Sequence, residues 1–251
     1  MKRFAAFLLG AALIVSLAAC GGKAAETAET PSQTEPSAQT EIQSATPAPS
    51  TETVPAPENT PEASADNTER NDTLVVYFSR VGNTDFPDDI DAVSSATLSR
   101  SGGVLKGNAQ LMAEWMADEA GADLFEIQTE NTYPIEYRAT TDVAKQEQNA
   151  GARPALKTHI DGFDGYSAVC LVFPNWWGDL PMALYSFFDE YDFSGKTLYV
   201  SITHEGSSFS RTVSTIQDLE PNADVIEGIS IRGASVPDSE ETVRQFVRDN
   251  Q

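Results

Sequence analysis

The chain has 251 residues, 38 acidic against 16 basic, a formal charge of −22, two cysteines and two histidines. So acidic a chain is a poor partner for nucleic acid or anionic lipid, and two cysteines do not make a disulfide scaffold. His159 and His204 stand far apart without a cysteine cluster, so no metal site is expected.

Lys2 and Arg3 precede an apolar run from Phe4 to Leu17 that ends in Leu17-Ala18-Ala19-Cys20. This is the layout of a secretory signal, its apolar core too short for an ordinary membrane span. The pattern resembles a bacterial lipoprotein signal. That resemblance implies a signal over 1–20, lipidation at Cys20, and an extracytoplasmic protein held to the membrane by its N-terminal lipid alone. Cys170, in an apolar run, then reads as a small buried hydrophobe. Residues 21–72 are rich in Ala, Thr, Glu, Pro and Ser and nearly free of large apolar side chains, the composition of a disordered tether. Such a tether has an r.m.s. span of roughly 40 Å. From Thr73 onward 12 basic and 28 acidic residues remain, so the domain over 73–251 is itself at −16. It is long enough for one good core.

Leu74 to Phe78 is a short apolar run of the kind buried on both faces of a parallel sheet. Ser79-Arg80-Val81-Gly82-Asn83-Thr84 follows with the chemistry of a phosphate cradle: two hydroxyls, a glycine that lets the backbone approach, and successive N–H groups that can enclose an anion. It matches neither G-x-x-x-x-G-K-[ST] nor G-x-G-x-x-G. Residues 85–106 are acidic and polar at first. Their second half, Ala96 to Leu105, reads as a hairpin closed around Ser101-Gly102-Gly103. Gly107-Asn108 opens a helix with Leu111, Met112, Trp115 and Met116 at helical spacing, Asn108 as N-cap and Gly121 as stop.

Asp123–Gln128 is the second strand, and Tyr137–Asn149 a polar helix ending at Gly151. Ser167–Phe173 is a third, uninterrupted apolar strand. A helix over Pro181–Tyr191 has proline in its first turn. Thr197–Ile202 is a strand, Ser210–Leu219 a helix, Val225–Ile231 a strand interrupted by Gly228, and Ser239–Arg248 the closing helix. Strands alternating with helices imply right-handed crossovers and a doubly wound α/β fold, a five-stranded parallel sheet in the order 2-1-3-4-5. Ligands in that order bind at the carboxyl ends of the strands beside the switch point between strands one and three.

The unusual loops follow strands one, three and four. The first is the phosphate-cradle turn. The second, Pro174-Asn175-Trp176-Trp177-Gly178, offers two adjacent indoles. The third, Thr203-His204-Glu205-Gly206-Ser207, offers polar groups and a glycine. A ligand with a phosphate at one end and a flat, largely apolar ring at the other satisfies all three. Flavin mononucleotide (FMN) has that outline. A serine hydrolase built on His204 and Ser207 is disfavoured, since no G-x-S-x-G elbow is present.

These segments, Val75 to Thr84, Pro174 to Pro181, Phe193 to Lys196 and Thr203 to Ser207, resemble the successive motifs of the flavodoxin family, in its bacterial branch with a Trp-Trp loop. The resemblance spans Thr73 to Gln251 and implies a flavodoxin-like fold with FMN as cofactor. It further implies that Ser79, Arg80, Val81, Gly82, Asn83 and Thr84 hold the phosphate. Pro174, Asn175, Trp176, Trp177 and Gly178 line one side of the isoalloxazine, and Thr203, His204, Glu205, Gly206 and Ser207 approach its polar edge.

The sequence departs from the family pattern in two places. Some twenty residues separate the phosphate loop from the first helix, so either the helix N-terminus is moved off the phosphate or Gly107-Asn108-Ala109 returns to it under an arching insert. Glu205 stands where glycine is frequent; pointing inward, its carboxylate would lower the reduction potential. Inside the insert, Asp91 to Thr97 resembles the D-x-x-[ST]-G-A-T acceptor at which exported redox proteins receive FMN through a phosphoester, Ser95 replacing the glycine. That resemblance implies Thr97 as the attachment point, against an ordinary hairpin loop. Three functions stay open: electron transfer with an unidentified redox partner, FMN-dependent reduction of a quinone or other small acceptor, and a flavin-free extracytoplasmic binding module.

Overall fold

The computed structural model of the protein describes residues 72–90 and 97–250. The signal over 1–20 with Cys20, the tether up to Asn71, and Asp91 to Ala96 of the insert lie outside the described residues.

Five strands form the main sheet: β1 (Thr73–Phe78), β4 (Asp123–Ile127), β5 (Ala168–Pro174), β6 (Thr197–His204) and β7 (Asp224–Arg232). Every pairing is parallel, in the order β4-β1-β5-β6-β7. Counting only these strands, that is the expected 2-1-3-4-5. A separate antiparallel hairpin, β2 (Leu98–Ser101) and β3 (Val104–Gly107), occupies the second half of the insert. Its turn glycines, Gly102 and Gly103, have φ of 57° and 82°, the two left-handed positions that a two-residue hairpin turn requires.

The helices are α1 (Asn108–Ala120), α2 (Tyr137–Ala150), α3 (Met182–Glu190), α4 (Thr212–Leu219) and α5 (Glu240–Asp249). The apolar run of β1 divides between two cores by the twofold alternation of a strand. Leu74, Val76 and Phe78 face one cluster, with Ala183, Leu184 and Phe187 of α3 and Ile216 of α4. Val75 and Tyr77 face the other, with Met112 and Met116 of α1 and Val243 and Val247 of α5. Both faces being covered explains why the strand has no polar side.

Several elements differ in detail from expectation, α3 among them: Pro181 and Tyr191 cap it and do not lie within it. Asn108 is the first helical residue of α1, and Gly107 is its N-cap, its N–H donating to Gln110 Oε1 at 3.1 Å. The Asn108 side chain is spent on tertiary bonds instead, accepting from Ser99 Oγ at 2.6 Å and donating to the Gly233 carbonyl at 3.1 Å. Helix α4 starts at Thr212 because Ser208 and Ser210 sit at φ of 49° and 50°. Gly228 does not interrupt β7: the strand runs through it with a register shift opposite Val200 and Ile202, and a methyl group there would crowd the Val200 carbonyl and Ser201 Oγ. Cys170 is half-buried against the second core, and burial pushes its thiol up to about 11.

Candidate functional site

The first turn is a braced structure. Val81 N–H donates to Ser79 Oγ at 3.2 Å, and Asn83 N–H to the Arg80 carbonyl at 3.0 Å. Asn83 is fully buried and spends its whole amide on the protein. Its Nδ2 donates to the carbonyls of Ser79 and Ile127, both at 2.9 Å, and its Oδ1 accepts from Thr129 N–H at 2.8 Å and Thr129 Oγ1 at 3.0 Å. Its side chain therefore ties the turn to the end of β4.

Gly82 sits at φ 89°, a conformation L side chains rarely adopt, and a Cβ there would push aside the Glu126 carboxylate. Glu126 accepts from Gln128 Nε2 at 2.7 Å, and burial raises its pKa. The Thr84 hydroxyl is buried and has no hydrogen-bond partner. A buried hydroxyl left unpaired costs about 1–3 kcal/mol, so it marks a place where a polar ligand atom belongs.

The chain returns to this turn after the insert. Gly107 packs so tightly on Ser79 Oγ that a side chain at 107 would overlap it. Asn108 N–H donates to the Thr97 carbonyl at 2.9 Å. Of the two arrangements the sequence allowed, the N-terminus of α1 stays at the turn.

Arg80 has a second task. It is buried, its Nη2 donates to the carbonyls of Pro134 at 3.0 Å and Ile135 at 2.8 Å, and its guanidinium lies 5.0 Å from the Phe86 ring centroid. It thereby fixes the segment leading into α2, while burial lowers its pKa.

The Trp-Trp loop is a tight hairpin: Trp176 and Asp179 exchange backbone hydrogen bonds at 3.0 and 3.1 Å. Trp177 and Gly178 between them have φ of 57° and 78°. Tryptophan in the left-handed region is unusual, and such strain is concentrated at functional positions. The two indoles play different parts. Trp176 packs edge-on against Phe78, with centroids 5.4 Å apart, and Tyr133, at 5.2 Å. Trp177 is 52% exposed, donates Nε1–H to the Thr141 carbonyl at 2.9 Å, and has Lys145 Nζ 5.2 Å from its ring.

Asn175 joins the second loop to the third. Its Nδ2 donates to the Ser208 carbonyl at 2.8 Å, and its Oδ1 accepts from Gly178 N–H at 3.0 Å. Beneath them Asp179 is buried and accepts from Arg211 Nη2 at 2.5 Å and the Tyr185 hydroxyl at 3.0 Å. In the third loop His204 Nδ1 accepts from Gly206 N–H at 2.8 Å, which puts the ring proton of the neutral imidazole on Nε2. Burial lowers the histidine's pKa and favours that neutral form. Glu205 reaches toward Arg232, with 4.0 Å between Oε2 and Nε.

Together these loops enclose a cleft of about 590 Å³ at the carboxyl ends of β1, β5 and β6. Of the residues the sequence singled out, Arg80, Thr97, Pro174, Asn175, Trp176, Trp177, Gly178, Thr203, His204, Glu205 and Ser207 line it. Ser79, Val81, Gly82, Asn83, Thr84 and Gly206 do not. Val81 and Thr84 instead border a neighbouring cavity of about 410 Å³ between the turn and the hairpin. Sequence reasoning missed the remaining wall, Tyr137, Thr140, Thr141 and Ala144 of α2. Its trace was there in the polar helix, whose threonines and alanine recur along one side.

An open parallel sheet of this order, with loops converging at its switch point, defines a doubly wound α/β ligand-binding domain. The chain belongs to the flavodoxin family: the family model described as flavodoxin matches residues 93–250. That match begins inside the insert, so β1 and its turn rest on the geometry described above.

Two solved structures share the fold. A candidate flavoprotein from Bacteroides uniformis is 24% identical with a TM-score of 0.54, over 71% of this chain and 99% of that one. Another from Bacteroides eggerthii is 21% identical with a TM-score of 0.52, over 70% and 96%. No curated protein matches the sequence. Among the described residues no group of three or more His, Cys, Asp or Glu is placed to hold a metal ion, and no helix is long and apolar enough to cross a membrane.

Proposed function

We propose that the protein binds FMN in this cleft and transfers electrons outside the cytoplasmic membrane, to which lipid on Cys20 tethers it, in exchange with an unidentified redox partner. The observation that carries the reading is the convergence of the Trp-Trp hairpin, the His204 loop, α2 and Arg80 of the turn after β1 on one walled cleft at the switch point, beside the cavity that Val81 and Thr84 of the same turn border.

The residues present fit such a ligand. In the neighbouring cavity Thr84 supplies a buried hydroxyl awaiting a polar atom, Ser79 stands at the N-terminus of α1, and that helix end favours an anion, so the phosphate end of the ligand would extend from the cleft toward that turn. Trp177 offers an exposed indole face, and His204, which also lines the cleft, has its ring N–H on Nε2 as a donor. When bound, the flavin supplies one- and two-electron chemistry. The chain's own residues bind it, orient the ring between α2 and the two loops, and exclude water. Glu205, drawn toward Arg232, has its charge partly offset.

A second reading, reduction of a quinone or other small acceptor, draws support from one observation. Helix α2 gives the cleft a further wall, Tyr137 to Ala144, and a volume in the range that takes whole small molecules.

The test is a titration of the purified domain with FMN and with riboflavin, for the natural sequence and Thr84→Ala. Thr84→Ala should weaken FMN by about tenfold, the worth of one hydrogen bond to a charged group, and leave riboflavin nearly unchanged. Equal losses would remove Thr84 from a phosphate role. Failure of the natural sequence to bind either flavin would leave the flavin-free binding module as the reading.

A further inference from the structure

The cavity of about 410 Å³ beside the cleft lies between the turn after β1 and the hairpin of the insert. Thr84 lines it on the side of the turn. That residue is 7% exposed, and its buried hydroxyl has no hydrogen-bond partner. A hydroxyl left so is costly, and a polar ligand atom in the cavity would remove the cost.

The other side is the hairpin. Arg100 pairs with Leu105 across β2 and β3, and Leu98 with Gly107, so by the twofold alternation of a strand these four share one face. Leu98 is buried and Gly107 packs on Ser79 Oγ, which makes this the face turned toward the domain. Arg100 therefore stands on the inner face of the hairpin, and it lines the cavity.

Arg100 is held in place without being neutralised. Its Nη1 donates to the Gly103 carbonyl at 3.3 Å, and its Nη2 to the carbonyls of Asp88 at 3.3 Å and Ile90 at 2.7 Å. These uncharged acceptors leave part of the guanidinium's donor capacity unused. Among the described residues Arg100 forms no ion pair, in a domain with 28 acidic residues against 12 basic. The other basic side chains of the turn and hairpin are committed: Arg80 to the carbonyls of Pro134 and Ile135, Lys106 to Glu114. Asp88 is the one acidic residue among the described lining residues, and Arg100 holds its carbonyl, not its carboxylate.

We propose that Arg100 and Thr84 together hold the ligand's phosphate, the hairpin supplying the cation, and that Arg100 sets the preference for a phosphorylated over an unphosphorylated flavin. The inference rests on the FMN reading of the adjoining cleft. A phosphate monoester is close to a dianion at neutral pH, and a guanidinium is matched to it in charge and in donor geometry. Riboflavin has the ring without the phosphate and gains nothing from Arg100. The insert is then part of the binding site and decides which flavin the cleft retains.

The experiment titrates the full chain with FMN, with riboflavin and with inorganic phosphate, for the natural sequence, Arg100→Gln and Arg100→Lys. Arg100→Gln should weaken FMN about tenfold at low salt, the worth of one charge-assisted hydrogen bond. The loss should shrink at about 1 M salt, where the screening length is about 3 Å. Riboflavin binding should be unchanged in this variant, which shows that it is folded. Arg100→Lys, which keeps the charge and loses the planar fork, should fall between the two for FMN. Inorganic phosphate should compete with FMN and not with riboflavin. Equal losses of FMN and riboflavin in Arg100→Gln, or a loss that salt does not reduce, would make Arg100 a brace of the hairpin and overturn the inference. So would unchanged FMN affinity, or inorganic phosphate that binds without displacing FMN; each leaves the FMN reading standing. A natural protein that takes up neither flavin overturns both.

Discussion

Replacing each of the two adjacent tryptophans by alanine separates packing from ligand contact. Trp176 is wedged edge-on between Phe78 and Tyr133, while Trp177 is 52% exposed and held by one hydrogen bond and the Lys145 ammonium. Truncating a tryptophan in a closed core costs about 3–5 kcal/mol; Trp176 is only partly enclosed, which places it near 3 kcal/mol. For Trp177 an exposed hydrogen bond and an exposed cation–π contact amount together to about 1 kcal/mol.

With a urea dependence of about 2 kcal/mol per molar, the unfolding midpoint of the flavin-free protein should fall by about 1.5 M for Trp176→Ala and about 0.5 M for Trp177→Ala. Flavin affinity should run the other way relative to stability. Trp177→Ala should lose about tenfold in FMN binding and restore fluorescence of the bound flavin, because it removes the accessible stacking face. Equal midpoint shifts, or unchanged affinity and quenching in Trp177→Ala, would refute this division of roles.

Asn83→Ala should cost about 3 kcal/mol in urea unfolding, since it strands buried groups of Ser79, Ile127 and Thr129 at once; a loss below 1 kcal/mol would show that the brace is dispensable. Glu126 gives a pH signature. Its folded pKa is raised by burial, so the folded state holds the proton more tightly than the unfolded chain. Stability is then lost as pH rises from the ordinary carboxyl range, near 4.3, through the raised value. Glu126→Gln should match the natural protein at pH 4 and exceed it in stability at pH 7. A variant that is no more stable at pH 7 would contradict a net cost of burying the Glu126 carboxylate, which its hydrogen bond from Gln128 offsets only in part.

Much of the fold was legible because apolar runs with no polar face have one economical use. Val75-Val76-Tyr77-Phe78 and Val169-Cys170-Leu171-Val172-Phe173 are strands covered on both sides, and the loops after them had to share an edge. Less legible was the division of labour within motifs. Nothing in the adjacency of Trp176 and Trp177 says which indole is wedged in the core; the left-handed backbone of Trp177 decides it. Asn83 and Arg80 were expected to be ligand contacts because they stand in the flavodoxin-like motif, yet each side chain reaches across more than forty residues of chain to fix another loop. The α2 wall was hidden for the same reason. A polar helix reveals that it is a helix, while its placement depends on Arg80 and Trp177, which hold it from outside.

The insert sits at the junction between β1 and the helix that packs on it. In a compact α/β unit that contact closes a loop of a few residues. Here Phe78 and Asn108 are joined through 79–107. Chain statistics make the penalty small: about two doublings of loop length cost about 1.2 kcal/mol in closure entropy. Contact order changes more than stability does. The pairing of β1 with α1 becomes a long-range contact, whereas β5, α3 and β6 are consecutive within Ala168–His204. The core on the α3 side is therefore assembled from nearby chain, and the core on the α1 side waits on a longer search, which places the turn after β1 among the slower parts of the molecule to form.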